Sequence, residues 1–335
     1  MISIKKVCLL LLSLIFLSTN SFAEIKLSNP LAKDIGKAYG YFIGQDYSLT
    51  EISKKYPHLS REVFLAKKEF ISSFKPSIDG MDSLMSKYSK TEWNKIKNQL
   101  ETTIYKSINI DQLTESQAVQ FIAIVRQRAK GNIESPIIET LLLFKNNYQE
   151  QPEREFIDGY KYKYITNGLG KAKNVPFSIE VPKTWAAEEA SRPNIVQKFV
   201  SENGRGLEII LVLIKEIPIG INERITEQDV AEFLNPDDIK DFLPKKASYL
   251  SSGELTLENL PGFWVTFKVD MSRARNQIEM ETIMYVVYYK NKMIQIQGQV
   301  MTSFNGEKAE NKGLKKYEKL FDLVANSFVI PELYK

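Results

Sequence analysis

"VPFSIEVPKTW" (175–185) divides the chain. Phe177, Ile179 and Val181 alternate with Ser178 and Glu180, the two-residue period of a strand with one buried face. Pro176 stands at its start and Pro182 at its end, where a missing amide N–H does least harm. Trp185 follows closely and is expected to pack as a structural lid. The residues before this stretch have a different period. In "LAKDIGKAYGYFIG" (31–44), Leu31, Ile35, Ala38 and Phe42 follow a four-three-four spacing down one helical face. Gly36, Gly40 and Gly44 recur every fourth residue beside that stripe and predict close packing of another helix. Lys33, Asp34 and Lys37 exclude a lipid setting for it.

The helical period continues to about residue 150. Ser60 is placed to cap a helix burying Val63, Ala66, Phe70 and Phe74. Thr91 is placed to cap the next, with Trp93, Ile96, Leu100, Ile104 and Ile108 in line. Thr114 caps a third, with Ala118, Phe121, Ile122, Val125 and Ala129 inside and Lys130-Gly131-Asn132 as its stop. Pro136 starts the short apolar piece "IIETLLLF". Residues 24–150 therefore read as a helical domain. Residues 151–174 read as a linker or an edge strand: "YKYKY" (160–164) sets Tyr160, Tyr162 and Tyr164 against lysines, which discourage unwanted pairing at an edge.

From 175 to 335 the period stays close to two. "NIVQKFVSE" (194–202) turns at Asn203-Gly204-Arg205-Gly206 into "LEIILVLIKEI" (207–217), an apolar run expected at the sheet centre and covered on both faces. Thr226 caps a helix, and a second helical piece follows around 236–242. A meander covers 247–258, 263–271, 278–290 and 293–301, and "GLKKYEKLFDLVANSF" (313–328) closes the chain as a helix. The fold class is α+β: an N-terminal α-helical bundle followed by an α-β-α sandwich with a curved antiparallel sheet.

"FSIEVPKTW", the "ENGRG" hairpin, "LPGFWVTF…MYVVYYKNKMIQIQG" and the closing "ANSF" resemble the PsbP-like family, which also includes DcrB-like bacterial envelope proteins. The resemblance spans about 170–335 and leaves the helical half aside. It implies the sandwich fold and an accessory or binding role, and it carries over no functional residue.

The first residues bear on compartment. Lys5 and Lys6 precede the apolar run from Val7 to Leu17, and Ser21-Phe22-Ala23 offers small residues before Glu24. This is the pattern of a secretory signal peptide over 1–23, and it predicts a periplasmic or secreted protein with no stable membrane span after cleavage. Cleavage removes Cys8, the one cysteine, and leaves His58 as the one histidine. A Cys/His metal cage and a Cys-His catalytic pair are excluded by that count, and no metal or other cofactor is expected. The net charge of +4 falls to +2 without Lys5 and Lys6; lysines and acids are interleaved, so nucleic acid is not an expected partner. There is no P-loop, no G-x-S-x-G elbow and no H-E-x-x-H motif, and no catalytic residue is assigned.

Interaction chemistry remains. Tyr285, Tyr288 and Tyr289, with Phe263 and Trp264 near them, would form an aromatic face on the sheet, and Arg273 and Arg275 mark a polar hairpin tip. Arg273, Arg275, Trp264 and Tyr288 are the candidate contact residues. The function expected is that of a non-catalytic exported accessory or binding protein of the cell envelope, working through contacts with another envelope protein. A carboxylate-dependent hydrolase acting on an envelope polymer, or a small-ligand carrier, is the alternative.

Overall fold

The computed structural model describes residues 25–219, 223–273, 276–308 and 313–335; the signal peptide read in 1–23 lies outside them. The described residues divide into two units, Ile25–Gln149 and Glu150–Lys335.

In the first unit, α1 (Asn29–Lys55) starts at Ser28, whose hydroxyl accepts from the Leu31 amide at 3.3 Å. Leu31, Ile35, Ala38, Leu49 and Ile52 form its buried stripe. α2 (Ser60–Ser107) is a single long element interrupted at Ser89, where φ is −163° and ψ is 102°. The two separate caps expected at Ser60 and Thr91 are not used. The turn Pro57–Leu59 already delivers the chain in helical geometry, so Ser60 is helical itself, and its hydroxyl accepts from Ser53 at 2.9 Å. At the break, Ser89 rather than Thr91 accepts an amide, that of Glu92, at 3.4 Å. Eleven residues of unbroken helix span about 16 Å. The break instead lets Asp82 accept from Trp93 Nε1 at 2.7 Å and from Lys97 at 3.2 Å.

α3 (Glu115–Ala129) carries a reciprocal cap: Thr114 accepts the Gln117 amide at 3.3 Å, and Gln117 accepts the Thr114 amide at 2.9 Å. α4 (Ile137–Leu143) is nearly all buried, and α5 (Asn146–Glu150) follows it. Of the three spaced glycines, Gly40 and Gly44 lie under the Ile104 side chain; a Cβ on Gly40 would sit 3.4 Å from it. Gly36 has nothing within 4 Å of that position. The strip therefore meets another helix, α2, through the Ile104 side chain over Gly40 and Gly44, while Gly36 lies outside that contact.

The second unit opens with α6 (Glu153–Ile157), then β1 (Lys161–Thr166) and β2 (Phe177–Pro182), which pair antiparallel with Tyr164 opposite Ile179. The alternating stretch is thus half of a two-stranded ribbon, outside the main sheet. Tyr162, Tyr164, Phe177, Ile179 and Val181 all pack into the unit's larger core. The outer edge of β2 meets the end of the chain: Ser178 and Val329 exchange both backbone hydrogen bonds at 2.9 Å.

The remaining strands are β3 (Ala186–Glu188), β4 (Ile195–Val200), β5 (Glu208–Glu216), β6 (Ala247–Leu257), β7 (Leu260–Arg273), β8 (Asn276–Tyr289), β9 (Lys292–Phe304) and β10 (Glu307–Lys308). Their order is β3-β4-β5-β9-β8-β7-β6, antiparallel throughout, with β10 paired to β9. α7 (Glu227–Phe233) and α8 (Pro236–Phe242) pack on one face around Phe263, Val265 and Val286. α9 (Leu314–Asn326) and the ribbon pack on the other, around Val212, Ile283, Tyr285 and Ile296. This is an α+β chain with an α-β-α C-terminal sandwich. β5 is central, between β4 and β9, but its faces differ. Ile210, Val212 and Ile214 are fully buried under the ribbon and α9, whereas Ile209, Leu211 and Leu213 are half-buried.

Two contacts seat α9. A Cβ on Gly298 of β9 would fall 2.3 Å from the Phe321 ring, so the absence of a side chain there lets the helix lie down. At the helix start Gly313 supplies no side-chain cap; Glu281 of β8 accepts the Leu314 amide at 2.8 Å and pairs with Lys268 at 2.8 Å. Burial pushes the Glu281 carboxyl up, but the bonds from Lys268 and Leu314 outweigh it and hold the group below its ordinary value.

Gly298→Ala should destabilise by about 3 kcal/mol, since a rigid ring and a sheet backbone must separate. Gly40→Ala should leave stability unchanged or raise it by up to about 1 kcal/mol through helix propensity. Chemical denaturation of both variants checks the contrast. A carboxyl lowered in the folded state stabilises above its unfolded pKa and loses that contribution as pH falls through the folded value. Wild type should therefore exceed Glu281→Gln in stability at pH 7, with the gap closing as pH drops below about 4.

Candidate functional site

The cross-strand registers sort the side chains of the sheet onto its two faces. Leu211 pairs with Gln297, Gln297 with Met284, and Met284 with Val265. One step along, Ile209 pairs with Gln299, Gln299 with Thr282, and Thr282 with Phe267. These residues share the face on which α7 and α8 pack. So do all five methionines of the unit: Met271, Met280, Met284, Met293 and Met301. Met284 and Met293 are buried, Met280 and Met301 half-buried, and Met271 is exposed.

A glutamine ladder runs along β9 beside them. Gln299 Nε2 donates to Gln297 Oε1 at 3.2 Å, and Gln297 Nε2 donates to Gln295 Oε1 at 3.1 Å. Gln297 Nε2 also lies 3.2 Å from Met284 Sδ, and Gln295 Nε2 lies 3.6 Å from Met293 Sδ. Thr282 is 1 % exposed, and its hydroxyl has no hydrogen-bond partner among the described residues. On β8 and β9, from Met280 to Met284 and from Gln295 to Gln299, these registers place thioethers, amides and a hydroxyl on the face; past Leu211 the same row ends in the Lys198–Glu188 ion pair, at 2.6 Å. Such a surface adapts its shape and offers neutral donors and acceptors, which is the chemistry of binding.

The ribbon side of the sheet holds the buried acids. Glu155 accepts the Thr184 amide at 2.8 Å and the Thr184 hydroxyl at 2.6 Å. Glu208 accepts the Ser201 hydroxyl at 2.5 Å. Burial first, and then the charges of Glu208 and Glu202, hold the Tyr317 hydroxyl well above its ordinary value. Between Ser201 and Glu208 the chain turns through three successive left-handed residues, Glu202, Asn203 and Gly204 (φ 52°, 57° and 86°), and Asn203 donates its amide to the Thr184 carbonyl at 2.6 Å. These acids secure the turns of that end of the sandwich.

The structure separates the predicted contact residues. Trp264 is half-buried on the ribbon side, packed over Gly253 and against the larger core. Tyr288 is half-buried on the opposite side beneath α7 and α8, and burial pushes its hydroxyl up to about 12. Tyr285 and Tyr289 turn to the ribbon side, where their hydroxyls donate to Asp322 at 2.5 Å and Glu332 at 2.9 Å. Phe263 is fully buried on the Tyr288 side. The tyrosines thus divide between the two faces. Arg273 ends β7 opposite Asn276; Arg275 and the side chain of Arg273 lie outside the described residues. The alternating "QIQGQ" of β9 carried the signal for the ladder.

No family model and no curated protein sequence matches the chain. Solved structures do resemble it over about half its length, consistent with the C-terminal half. The solution structure of cyanobacterial PsbP from Synechocystis shares 17 % identity over 51 % of this chain and 92 % of its own, with a TM-score of 0.32. The crystal structure of LpqN from Mycobacterium tuberculosis, described as involved in cell envelope biogenesis, shares 11 % identity over 52 % and 92 %, with a TM-score of 0.33. A Bacteroides thetaiotaomicron crystal structure shares 11 % over 50 % and 47 %, with a TM-score of 0.29. Similarity at this level concerns fold and is silent on activity.

Replacing the unpaired, buried hydroxyl with a methyl group should help the fold. Thr282→Val should raise stability by about 1 kcal/mol, because a desolvated donor is removed at nearly constant shape. Thermal or urea unfolding reads this directly.

Proposed function

We propose that this chain is an exported accessory protein of the cell envelope that acts by binding another envelope protein, not by catalysis. The observation that carries the reading is the methionine and glutamine face: a half-buried apolar strand, Ile209 to Leu213, beside an amide ladder and polarizable thioethers. Methionine-rich surfaces repack around partners, and amides recognise backbone groups without needing charge. The leader pattern at 1–23 supports export. No helix among the described residues is long and apolar enough to cross a membrane. The buried acids support the non-catalytic part of the reading, since Glu155 and Glu208 are each bonded to a threonine or serine hydroxyl at the base of a turn.

The test pairs fractionation with affinity capture. The chain should appear in the envelope or external fraction and recover the same protein species reproducibly. Gln297→Ala with Gln299→Ala removes half-buried amides and should keep the fold, yet lower that recovery at least tenfold, about 1.4 kcal/mol. A cytoplasmic location, or recovery indifferent to the amides, would overturn the proposal.

A further inference from the structure

The turn that joins β1 to β2 is both basic and apolar. Between Asp158 and Glu180 the chain has four lysines, Lys161, Lys163, Lys171 and Lys173, and no acid. Alternation along β1 turns Tyr162 and Tyr164 into the core and sets Lys161, Lys163 and Ile165 on the outer face. Beyond Thr166 the Asn174 amide donates to the Gly168 carbonyl at 2.7 Å, which closes a tight turn carrying Leu169. Ile165 is 69 % exposed and Leu169 68 %, the two highest values for large apolar side chains among the described residues. β1 pairs with β2 alone, and lysines guard such an open edge. That role accounts for the lysines; it leaves the two aliphatic side chains without a purpose.

We propose that this ribbon tip docks on an anionic lipid bilayer, with Ile165 and Leu169 in the headgroup boundary and the cations around them on lipid phosphates. The charge balance at the tip favours that occupant. Lys161 pairs with Glu180 at 2.5 Å, Lys171 with Glu189 at 3.7 Å, and Lys292 with Glu216 at 2.8 Å. Arg192 belongs to the same end, because the Lys171 ammonium donates to the Ala190 carbonyl two residues before it. Lys163, Lys173 and Arg192 have no ion-pair partner among the described residues, so the excess charge is positive. Stacking on nucleic-acid bases is closed to the ribbon: Tyr162 and Tyr164 pack inward, and the Tyr162 hydroxyl donates to the Trp185 carbonyl at 2.9 Å. The ribbon covers the face of the sheet away from the methionines, so the contact stands independently of the partner proposed for them.

Co-sedimentation of the chain from Glu24 onward with lipid vesicles tests this. Vesicles containing phosphatidylglycerol should bind it about tenfold more tightly than vesicles of phosphatidylcholine alone, and high salt should remove the difference. Ile165→Ser with Leu169→Ser should weaken binding to the anionic vesicles by about tenfold. Lys163→Glu with Lys173→Glu should weaken it by about as much. The chain from Glu24 onward has no cysteine, so Leu169→Cys places a single environment-sensitive fluorophore at the tip. Its emission should shift to the blue on anionic vesicles. The same label at Ser251→Cys, on the far edge strand β6, should not respond, a contrast that a misfolded chain does not give. Absence of vesicle binding, equal binding to neutral lipid, indifference to the tip substitutions, or two labels that respond alike would each overturn the proposal, as would capture of an acidic protein or a nucleic acid by the tip in place of lipid.

Discussion

The C-terminal unit depends on the contact between Gly298 and Phe321. β9 has no side chain where the ring lies, so α9 approaches the sheet backbone more closely than any larger residue would allow. Phe321 then becomes a platform. Tyr317 stacks against it at 6.0 Å and Trp185 meets it edge-on at 6.2 Å. The helix delivers the chain to Val329, which pairs with Ser178 and fixes the ribbon over the same core. Trp185, expected as a lid, is one part of this seam. A single small residue thus sets the depth of the layer to which three separate segments attach.

That close approach creates a polar problem, which the acids on the ribbon side solve. A helix seated on a sheet must satisfy its first amides, and Glu281 does so from the strand beneath. Glu155 and Glu208 are more deeply buried and tie down the Thr184 and Ser201 turns. Each carboxylate there meets a donor fixed by the fold, so its charge is committed to geometry. The opposite face contains amides and thioethers, whose interactions can be rearranged at little electrostatic cost.

Periodicity made much of this legible in advance. The four-three-four stripe of α1, the Thr114 cap and the meander from 247 to 301 follow directly from local pattern. Pairing did not. "VPFSIEVPKTW" alternates like any half-buried strand, and nothing local says that its neighbours are β1 and Val329 instead of the main sheet. A helix start was legible at Thr91, two residues past the actual break at Ser89; what local pattern did not carry is the tertiary bond from Trp93 to Asp82 that the break makes room for. Trp264 and Tyr288 looked like companions because both are aromatic and both lie in the meander; Trp264 pairs with Tyr285, so strand parity sends Tyr288 to the other face. The glutamine ladder needed only the period-two rule applied to β9, with the amides counted as a set.

The asymmetry between the faces also explains why the unit's methionines are gathered as they are. On the ribbon side the core is built from β-branched and aromatic residues, whose few rotamers suit a surface that must hold α9 at one fixed depth. On the other side α7 and α8 are short, seven residues each, and pack mainly over β7. Met284 and Met293, flexible and unbranched, fill irregular space beneath such small elements at modest cost, and the amide ladder runs along β9 beside them. Rigidity on one face and adaptability on the other follow from where Gly298 admits a long helix and where only short ones fit. The binding function proposed for the adaptable face is therefore consistent with the way the same residues support the fold.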